Sequence, residues 1–570
     1  MRTHAHSMIC SAKAATGLTF LLGLSSQGAT LQAPFTRLTT GPWMESAGSI
    51  SVAACDYDND GWPDLFVGHA DTPSSLYRNQ NGTFTKITNS PIATLMHDPH
   101  GAAWADYDND GWPDLVVACI VDAPQPATFL FHGLGNGTFE RVTSGPLAND
   151  TGRAVSVAWA DYTGDGLLDL FVGRGALVRD VADSLYRNQG PTGFSLDNVI
   201  GFSPLSTDQG TWADYDGDGD LDLFVVHAAQ QGNTLYRNNG NGQFEVVKGI
   251  GLDQLGESVG AAWGDFNNDG YLDLVVINFS FNSPQANFLY RNNGDGTFTQ
   301  ITNGPIATDT GYFQSCSWVD FDNDGWLDLF ICADPVGDPH GLKNRLYRNQ
   351  GDGTFVRMTS GALVTDSARF AGSSWLDFDN DGFPDVYVAC GSIYTAEPDA
   401  FYHNNGNTNA WIKIRCVGTV SNRSAIGTTI RAKAKIAGTD RWQMRQIVGT
   451  EGWLSFNNLD VIIGLGDATV VDTLRIEWPS GIVQELHNVP AKQTLVIVEK
   501  TTLQIAQLGD TQYEVKITGP RQQRYSLETS TDLLSWSSLT SLTITNVDGT
   551  ATFQDTIGAK AARFFRATPQ

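Results

Sequence analysis

The chain has 570 residues and a formal net charge of −27, from 35 Lys and Arg against 62 Asp and Glu. A hydrophobic content of 41% excludes a wholly disordered chain, and so large an acid excess excludes nucleic-acid binding through a general basic surface. The length suits two to four domains, and 60 glycines point to many tight turns.

Residues 1–29 read as a signal peptide. Arg2, His4, His6 and Lys13 give a basic start, Ala15 to Leu24 is apolar but too short to span a bilayer, and small residues such as Ser26 and Gly28 follow. Cys10 precedes the apolar stretch, which argues against a lipoprotein anchor. With no later apolar run of spanning length, the expectation is a protein without a transmembrane segment: secreted, periplasmic or at the cell surface. Cys55, Cys119, Cys316, Cys332, Cys390 and Cys416 sit mostly in apolar, strand-like runs without a zinc-type CxxC pair. Buried free thiols are expected, and a Cys316–Cys332 bridge stays open because their strands should be neighbours.

From about residue 35 to 406 one unit recurs seven times, every 50–57 residues. Each copy has a small-residue run, an acidic turn, an alternating apolar run and a variable loop. Most then have a Leu-Tyr-Arg-Asn type strand and a Gly-x-Phe turn into a fourth short strand. One four-stranded unit cannot bury both faces alone, so the expected fold is all-β, a seven-bladed β-propeller followed by two small β-rich domains. Trp104, Trp159, Trp212, Trp263, Trp318 and Trp375 stand two residues before the acidic turn and should pack between blades. The seventh copy lacks its own fourth strand, and Phe35-Thr-Arg-Leu-Thr39 carries the missing pattern, so the N-terminal strand should close the ring.

The acidic turns are candidate calcium sites. Asp-x-Asp-x-Asp-Gly places oxygen ligands at positions 1, 3 and 5 of a turn that Gly at 6 permits; position 7 offers a carbonyl and position 9 another Asp. The seven sets are Asp56, Asp58, Asp60, Trp62 and Asp64; Asp106, Asp108, Asp110, Trp112 and Asp114; Asp161, Thr163, Asp165, Leu167 and Asp169; Asp214, Asp216, Asp218, Asp220 and Asp222; Asp265, Asn267, Asp269, Tyr271 and Asp273; Asp320, Asp322, Asp324, Trp326 and Asp328; and Asp377, Asp379, Asp381, Phe383 and Asp385. Hard oxygen ligands in a flexible turn suit Ca²⁺ better than zinc or copper, and up to seven structural ions are expected. The turns are not EF-hands, because Val67 occupies position 12 where a bidentate Glu is needed and the flanks alternate as strands do. Thr163 and Asn267 weaken the third and fifth sets.

These repeats resemble the FG-GAP/VCBS family, whose propellers also occur in integrin α chains. Residues 407–499 resemble the ASPIC/UnbV domain that follows such propellers in the cartilage acidic protein-like family, through Trp411-Ile-Lys-Ile, Ser421-Asn-Arg-Ser-Ala-Ile-Gly427, Gly464-Leu-Gly466 and Trp478-Pro-Ser-Gly481. The resemblance implies calcium at the positions named above and brings no catalytic mechanism to carry over. Residues 503–570 alternate again around Tyr513-Glu-Val-Lys-Ile517 and Arg563-Phe-Phe-Arg566, with Asp548-Gly549 as a hairpin turn, and resemble small sandwich-like modules of exported bacterial proteins.

A propeller should carry the acidic loops on one face and the variable 2–3 and 4–1 loops, such as Val121–Thr128, Gly175–Asp183 and Asp334–Asn344, on the other. Recognition usually resides on such variable loops. Five residues beyond the ninth-position Asp, His69, Arg174, His227 and Asn278 are expected to line the mouth of the axial channel and contact a ligand. Phe279, Phe281, Tyr312, Phe313 and Tyr394 are candidates for stacking on sugars, and His97 with His100 for a transition metal, against a plain surface loop. No Gly-x-Ser-x-Gly elbow, His-Glu-x-x-His helix or P-loop is present. The sequence therefore favours an exported binding or adhesion module for an extracellular protein or glycan. A carbohydrate-active enzyme, a polysaccharide lyase or hydrolase, is the first alternative, and a structural matrix or cell-surface component the second.

Overall fold

The computed structural model describes residues 32–569, apart from 176–180, 203, 229–230, 241, 253, 280–283, 335–342, 393–394, 508–511, 520–523, 531–534, 545–549 and 557–563. The expected leader at 1–29 and the Asp548-Gly549 turn lie outside the described residues. Among the described residues no helix is long and apolar enough to cross a membrane.

Each repeat forms one four-stranded antiparallel sheet, and seven such sheets are present. Blade 1 is Ser49–Cys55, Asp64–His69, Ser75–Gln80 and Thr83–Ile87. The inner strands of the others are Pro99–Ala105 (blade 2), Ala154–Ala160 (blade 3), Thr207–Ala213 (blade 4), Ser258–Gly264 (blade 5), Phe313–Val319 (blade 6) and Phe370–Leu376 (blade 7). These strands are rich in Ala, Ser and Gly because they crowd together: each touches the next, and that of blade 7 touches that of blade 1, so the circle closes. Blade 7 takes its fourth strand from Phe35–Leu38, antiparallel to Ala400–Asn404 with Phe35 opposite Asn404 and Leu38 opposite Phe401. The ring is thus closed by the strand that the sequence nominates.

The tryptophans are the wedges between blades. Trp104 stacks on Tyr57 of blade 1 with ring centroids 5.9 Å apart, Phe139 closes the triplet at 5.4 Å from Tyr57, and Trp104 Nε1–H donates to the Ala53 carbonyl at 3.3 Å. Trp159 repeats this on Tyr107 and Ala103, and Trp318 on Phe266 and Ala262. Each buried aromatic contributes roughly 1.5–3 kcal/mol through area alone, and the N–H bonds of Trp104, Trp159 and Trp318 fix the rotation of one blade on the next, whereas Trp212, Trp263 and Trp375 act through packing without such a bond.

Cys316 and Cys332 do lie on neighbouring strands, but Ser315 faces Cys332 while Cys316 faces Ile331. The one-residue offset sends the two thiols to opposite faces of the sheet. Both are buried and free, as are the other described cysteines.

Beyond the ring, the sheet Thr439–Gln446, Thr429–Ile436, Val470–Glu477, Val483–Pro490 and the sheet Val461–Gly466, Ala410–Val417, Gln493–Val498 form the second unit. Between Thr439–Gln446 and Val461–Gly466 the chain leaves this unit and enters the centre of the propeller. There Ser455–Phe456 runs parallel to the inner strand of blade 1. The described residues between 502 and 569 form two three-stranded sheets around Ile517, Tyr525 and Ile544.

Candidate metal centres

The acidic turns join the first and second strands of each blade, and their aspartates do different work. In blade 1, Asp56 Oδ1 and Oδ2 accept the N–H groups of Asp60 and Gly61, both at 2.9 Å, which wraps the turn around the carboxylate. Gly61 holds φ +91°, where a side chain would be strained. Asp64 Oδ1 accepts Asn79 N–H at 2.7 Å and Oδ2 accepts Tyr57 N–H at 3.1 Å, so position 9 ties the turn to the third strand. The same pair of bonds recurs at Asp114, Asp222, Asp273, Asp328 and Asp385.

Position 3 is different. Both oxygens of Asp58, one of Asp216 and one of Asp322 are buried without a hydrogen-bond partner, as are Thr163 Oγ1, Asp169 Oδ2 and Asp377 Oδ1. Ligand atoms of Asp56, Asp58 and Asp64 lie within 4.8 Å of one another, as do those of Asp106, Asp108 and Asp114 and of Asp214, Asp216 and Asp218. Carboxylate oxygens gathered this closely in a strand–strand turn, those of Asp58 and one of Asp216 without a hydrogen bond, fit a hard dication. Burial, then neighbouring carboxylates, push Asp214 up to about 7; burial is also the main cause for Asp106, Asp161 and Asp265, at about 7, 7 and 6.

Two sets of cations reach these loops that the ligand pattern alone did not predict. The first is the basic residue of the third strand: Arg78 Nη2 stands 2.5 Å from Asp58, Arg348 reaches Asp322 and Asp324 at 2.6 Å each, and Arg187 reaches Asp165 at 3.4 Å. Its recurrence in the Leu-Tyr-Arg-Asn strand is the signal that would have found it. In blades 2 and 7 this position is His132 and His403. The hydrogen bond to Asp114 is the main cause that raises His132 to about 9, and the bond to Asp385 likewise raises His403.

The second set comes from the following domain, which sits on this face. Lys413 Nζ is 2.6 Å from Asp377, and Arg415 clasps Asp460 at 2.8 and 2.9 Å while reaching Asp56 at 2.7 Å. Arg445 is buried where the fields of Asp320 and Asp265 meet. A cavity of about 160 Å³ under this contact is lined by Trp263, Trp318, Trp375, Lys413, Arg445 and Glu451, among others.

The four residues expected at the channel mouth are corrected by the structure. His69, Arg174, His227 and Asn278 are all buried at strand ends and satisfied locally. His69 bridges Ser49 and Ser75, His227 bridges Thr207 and Thr234, Asn278 accepts from Ser258 and donates to the Ala286 carbonyl, and Arg174 is held by Asp150, Ser184 and the Thr151 and Gly152 carbonyls. They latch sheets rather than face a ligand. Phe279, Tyr312 and Phe313 are buried too and offer no stacking platform; Phe281 and Tyr394 lie outside the described residues. His97 stacks on Phe129 at 5.1 Å while His100 faces Asp98 at 3.4 Å, so the two have separate partners.

The FG-GAP-like repeat family matches residues 36–117, 120–172, 214–276, 277–331 and 332–388, and the ASPIC and UnbV family matches 418–504. The chain is similar to cartilage acidic protein 1 of Mus musculus, at 24% identity over 446 residues, covering 76% of this chain and 62% of that protein. It is also similar to cartilage acidic protein 1 of Xenopus tropicalis, at 27% over 256 residues, covering 44% and 38%. The chain thus spans less than two thirds of the length of these relatives. Among solved structures, BBS1N in complex with ARL6DN aligns with a TM-score of 0.41 and 11% identity, over 65% of this chain and 97% of that one.

Proposed function

The chain belongs to the FG-GAP-like repeat family, and from that premise we propose that it is an exported, calcium-stabilised scaffold that binds an extracellular protein or glycan. The observation that carries the calcium part is the set of buried position-3 oxygens with no hydrogen-bond partner, beside carboxylates already oriented by backbone N–H groups. Positions 1, 3, 5 and 9 with the position-7 carbonyl are the ligands in each blade. Bound there, calcium supplies positive charge among three or four carboxylates that otherwise repel. The aspartates of positions 1 and 9 hold the turn's shape in advance, so little ordering remains to be done on binding.

The binding role is assigned to the face opposite the acidic turns and to the outer rim, because the ASPIC/UnbV domain covers the acidic face. Isothermal titration of the chelator-stripped chain with Ca²⁺ tests the reading. Uptake of five or more ions per chain, with a rise in melting temperature, supports it; no uptake at millimolar Ca²⁺ rejects it.

A further inference from the structure

In blades 2 and 7 the third-strand cation is an imidazole, and the surroundings of that imidazole differ from those of the arginines. His132 Nδ1 is 3.0 Å from Asp114 Oδ1, a fully buried carboxylate, and 3.4 Å from Asp108, while Nε2 faces Asp110 at 3.9 Å. His403 repeats the arrangement, with Nδ1 3.1 Å from buried Asp385 and 3.6 Å from Asp379. In both blades a ring nitrogen and oxygens of positions 3 and 5 lie within 4.8 Å of one another: His132 with Asp108 and Asp110, His403 with Asp379 and Asp381. A buried carboxylate behind an imidazole is the arrangement that orients a metal-ligating histidine and fixes its tautomer. In blade 7 a further group points at a missing partner: Asp377, whose charge bears on Asp381, keeps Oδ1 buried without a hydrogen bond although Lys413 holds Oδ2.

From this we infer that blades 2 and 7 are mixed nitrogen–oxygen sites that take a transition-metal dication of the Zn²⁺ class, while the other five acidic loops are oxygen-only sites. The inference rests on the reading that the acidic loops hold dications. An imidazole nitrogen beside two carboxylates favours borderline ions over Ca²⁺, which has little affinity for nitrogen. An arginine at the same place never ligates and acts only as a fixed counter-charge, as Arg348 does on Asp322 and Asp324.

Co²⁺ is the probe, because its visible absorption reports nitrogen ligation. The full chain is loaded with Co²⁺, dialysed against excess Ca²⁺ and assayed for both metals. Two Co²⁺ per chain are expected, one in each of His132→Arg and His403→Arg, and none in the double variant, with the Ca²⁺ content of the other loops unchanged. Arginine restores the counter-charge found in the remaining blades, and circular dichroism checks that each variant folds; the single variants keep the test open if the double one does not. A wild-type chain that keeps Ca²⁺ but no Co²⁺ overturns the inference, as does a double variant that retains as much Co²⁺ as wild type. A chain that binds neither metal removes the calcium reading itself, so the two failures are distinct.

Discussion

Aspartates with the same spacing in the acidic turns are not equivalent, and the difference is measurable. Asp64 accepts two backbone N–H bonds and is fully buried, so Asp64→Ala leaves both donors unpaired. Its cost should be about 2–4 kcal/mol in EDTA already, and larger in Ca²⁺, where a ligand is lost as well. Asp58 ties down neither strand and is paired with the part-exposed Arg78 guanidinium, so Asp58→Ala should be within about 1 kcal/mol of wild type in EDTA and show most of its loss of stability only when Ca²⁺ is present. Chemical denaturation of both variants with and without metal checks this; equal behaviour of the two would contradict it. A second residue-scale prediction concerns Glu451, which accepts from Trp318 N–H at 3.0 Å and from Asn457 Nδ2. Burial pushes its carboxyl up to about 7. A raised carboxyl contributes stability that is complete below its unfolded value of about 4.3 and fades as pH climbs through about 7. Wild type should therefore lose about 1–3 kcal/mol relative to Glu451→Gln between pH 5 and 8.5 at fixed Ca²⁺. Melting curves across that range read the difference, and parallel curves would argue against it.

At the scale of strands and turns, the blades are joined by devices that repeat with the sequence. Asn79 donates to its own Pro63 carbonyl and to Phe378 in the preceding blade, and Asn188, Asn238, Asn292, Asn349 and Asn404 do the same. Position 4 of the turn is Asn in five blades, and each reaches forward to the next turn, Asn380 bridging to the Gly61 carbonyl across the seam. The seam also depends on Phe35, whose ring sits 5.9 Å from Trp375 and 6.0 Å from Phe321. Deleting residues 32–40 should expose the edge of Ala400–Asn404, lower the melting temperature by about 10 °C or more and promote edge-to-edge oligomers. Calorimetry with gel filtration detects both effects, and an unaltered monomeric transition would show that the strand is dispensable. Strands, turns and ring closure were legible in the sequence because each repeat encodes them locally and seven copies average out the noise. The fate of His69, Arg174, His227 and Asn278 was not, because a polar residue at a strand end looks the same whether it meets solvent or a neighbouring blade's hydroxyl. Ser49 alone, bonded to both His69 and Asp399 of blade 7, decides the matter for one of them, and that pairing spans 350 residues.

For the molecule as a whole, the segment 447–460 makes the propeller and the ASPIC/UnbV domain one structure. It hydrogen-bonds to the inner strands of five blades, in four of them through these pairs: Leu454 to Val52, Gly449 to Trp159, Gly452 to Ala261, and Ser455, Phe456 and Asn457 to Ser373, Ser374 and Trp375. Glu451 and Ser455 reach blade 6 through Trp318 and Ser315. Nothing in the local pattern of Gly-Thr-Glu-Gly-Trp-Leu foretells this, since its partners include Val52, at the far end of the chain; the glycines record it only once the contacts are known. A Cβ on Gly449 would collide with the Trp159 carbonyl, which the sheet of blade 3 holds in place. Gly449→Ala must therefore lift the segment from the axis and loosen its bonds to the other blades together. The expected result is a loss of about 2–4 kcal/mol in Ca²⁺ and in EDTA alike, with new protease cleavage between 447 and 460. Gly438→Ala, at a hairpin where nothing lies within 4 Å of the added methyl, controls for glycine replacement in the same domain, with only the local strain of φ +80° to bear. If Gly449→Ala resists protease as wild type does and melts at the same temperature, the segment is a passive filler, and the two domains need a different account of how they are held together.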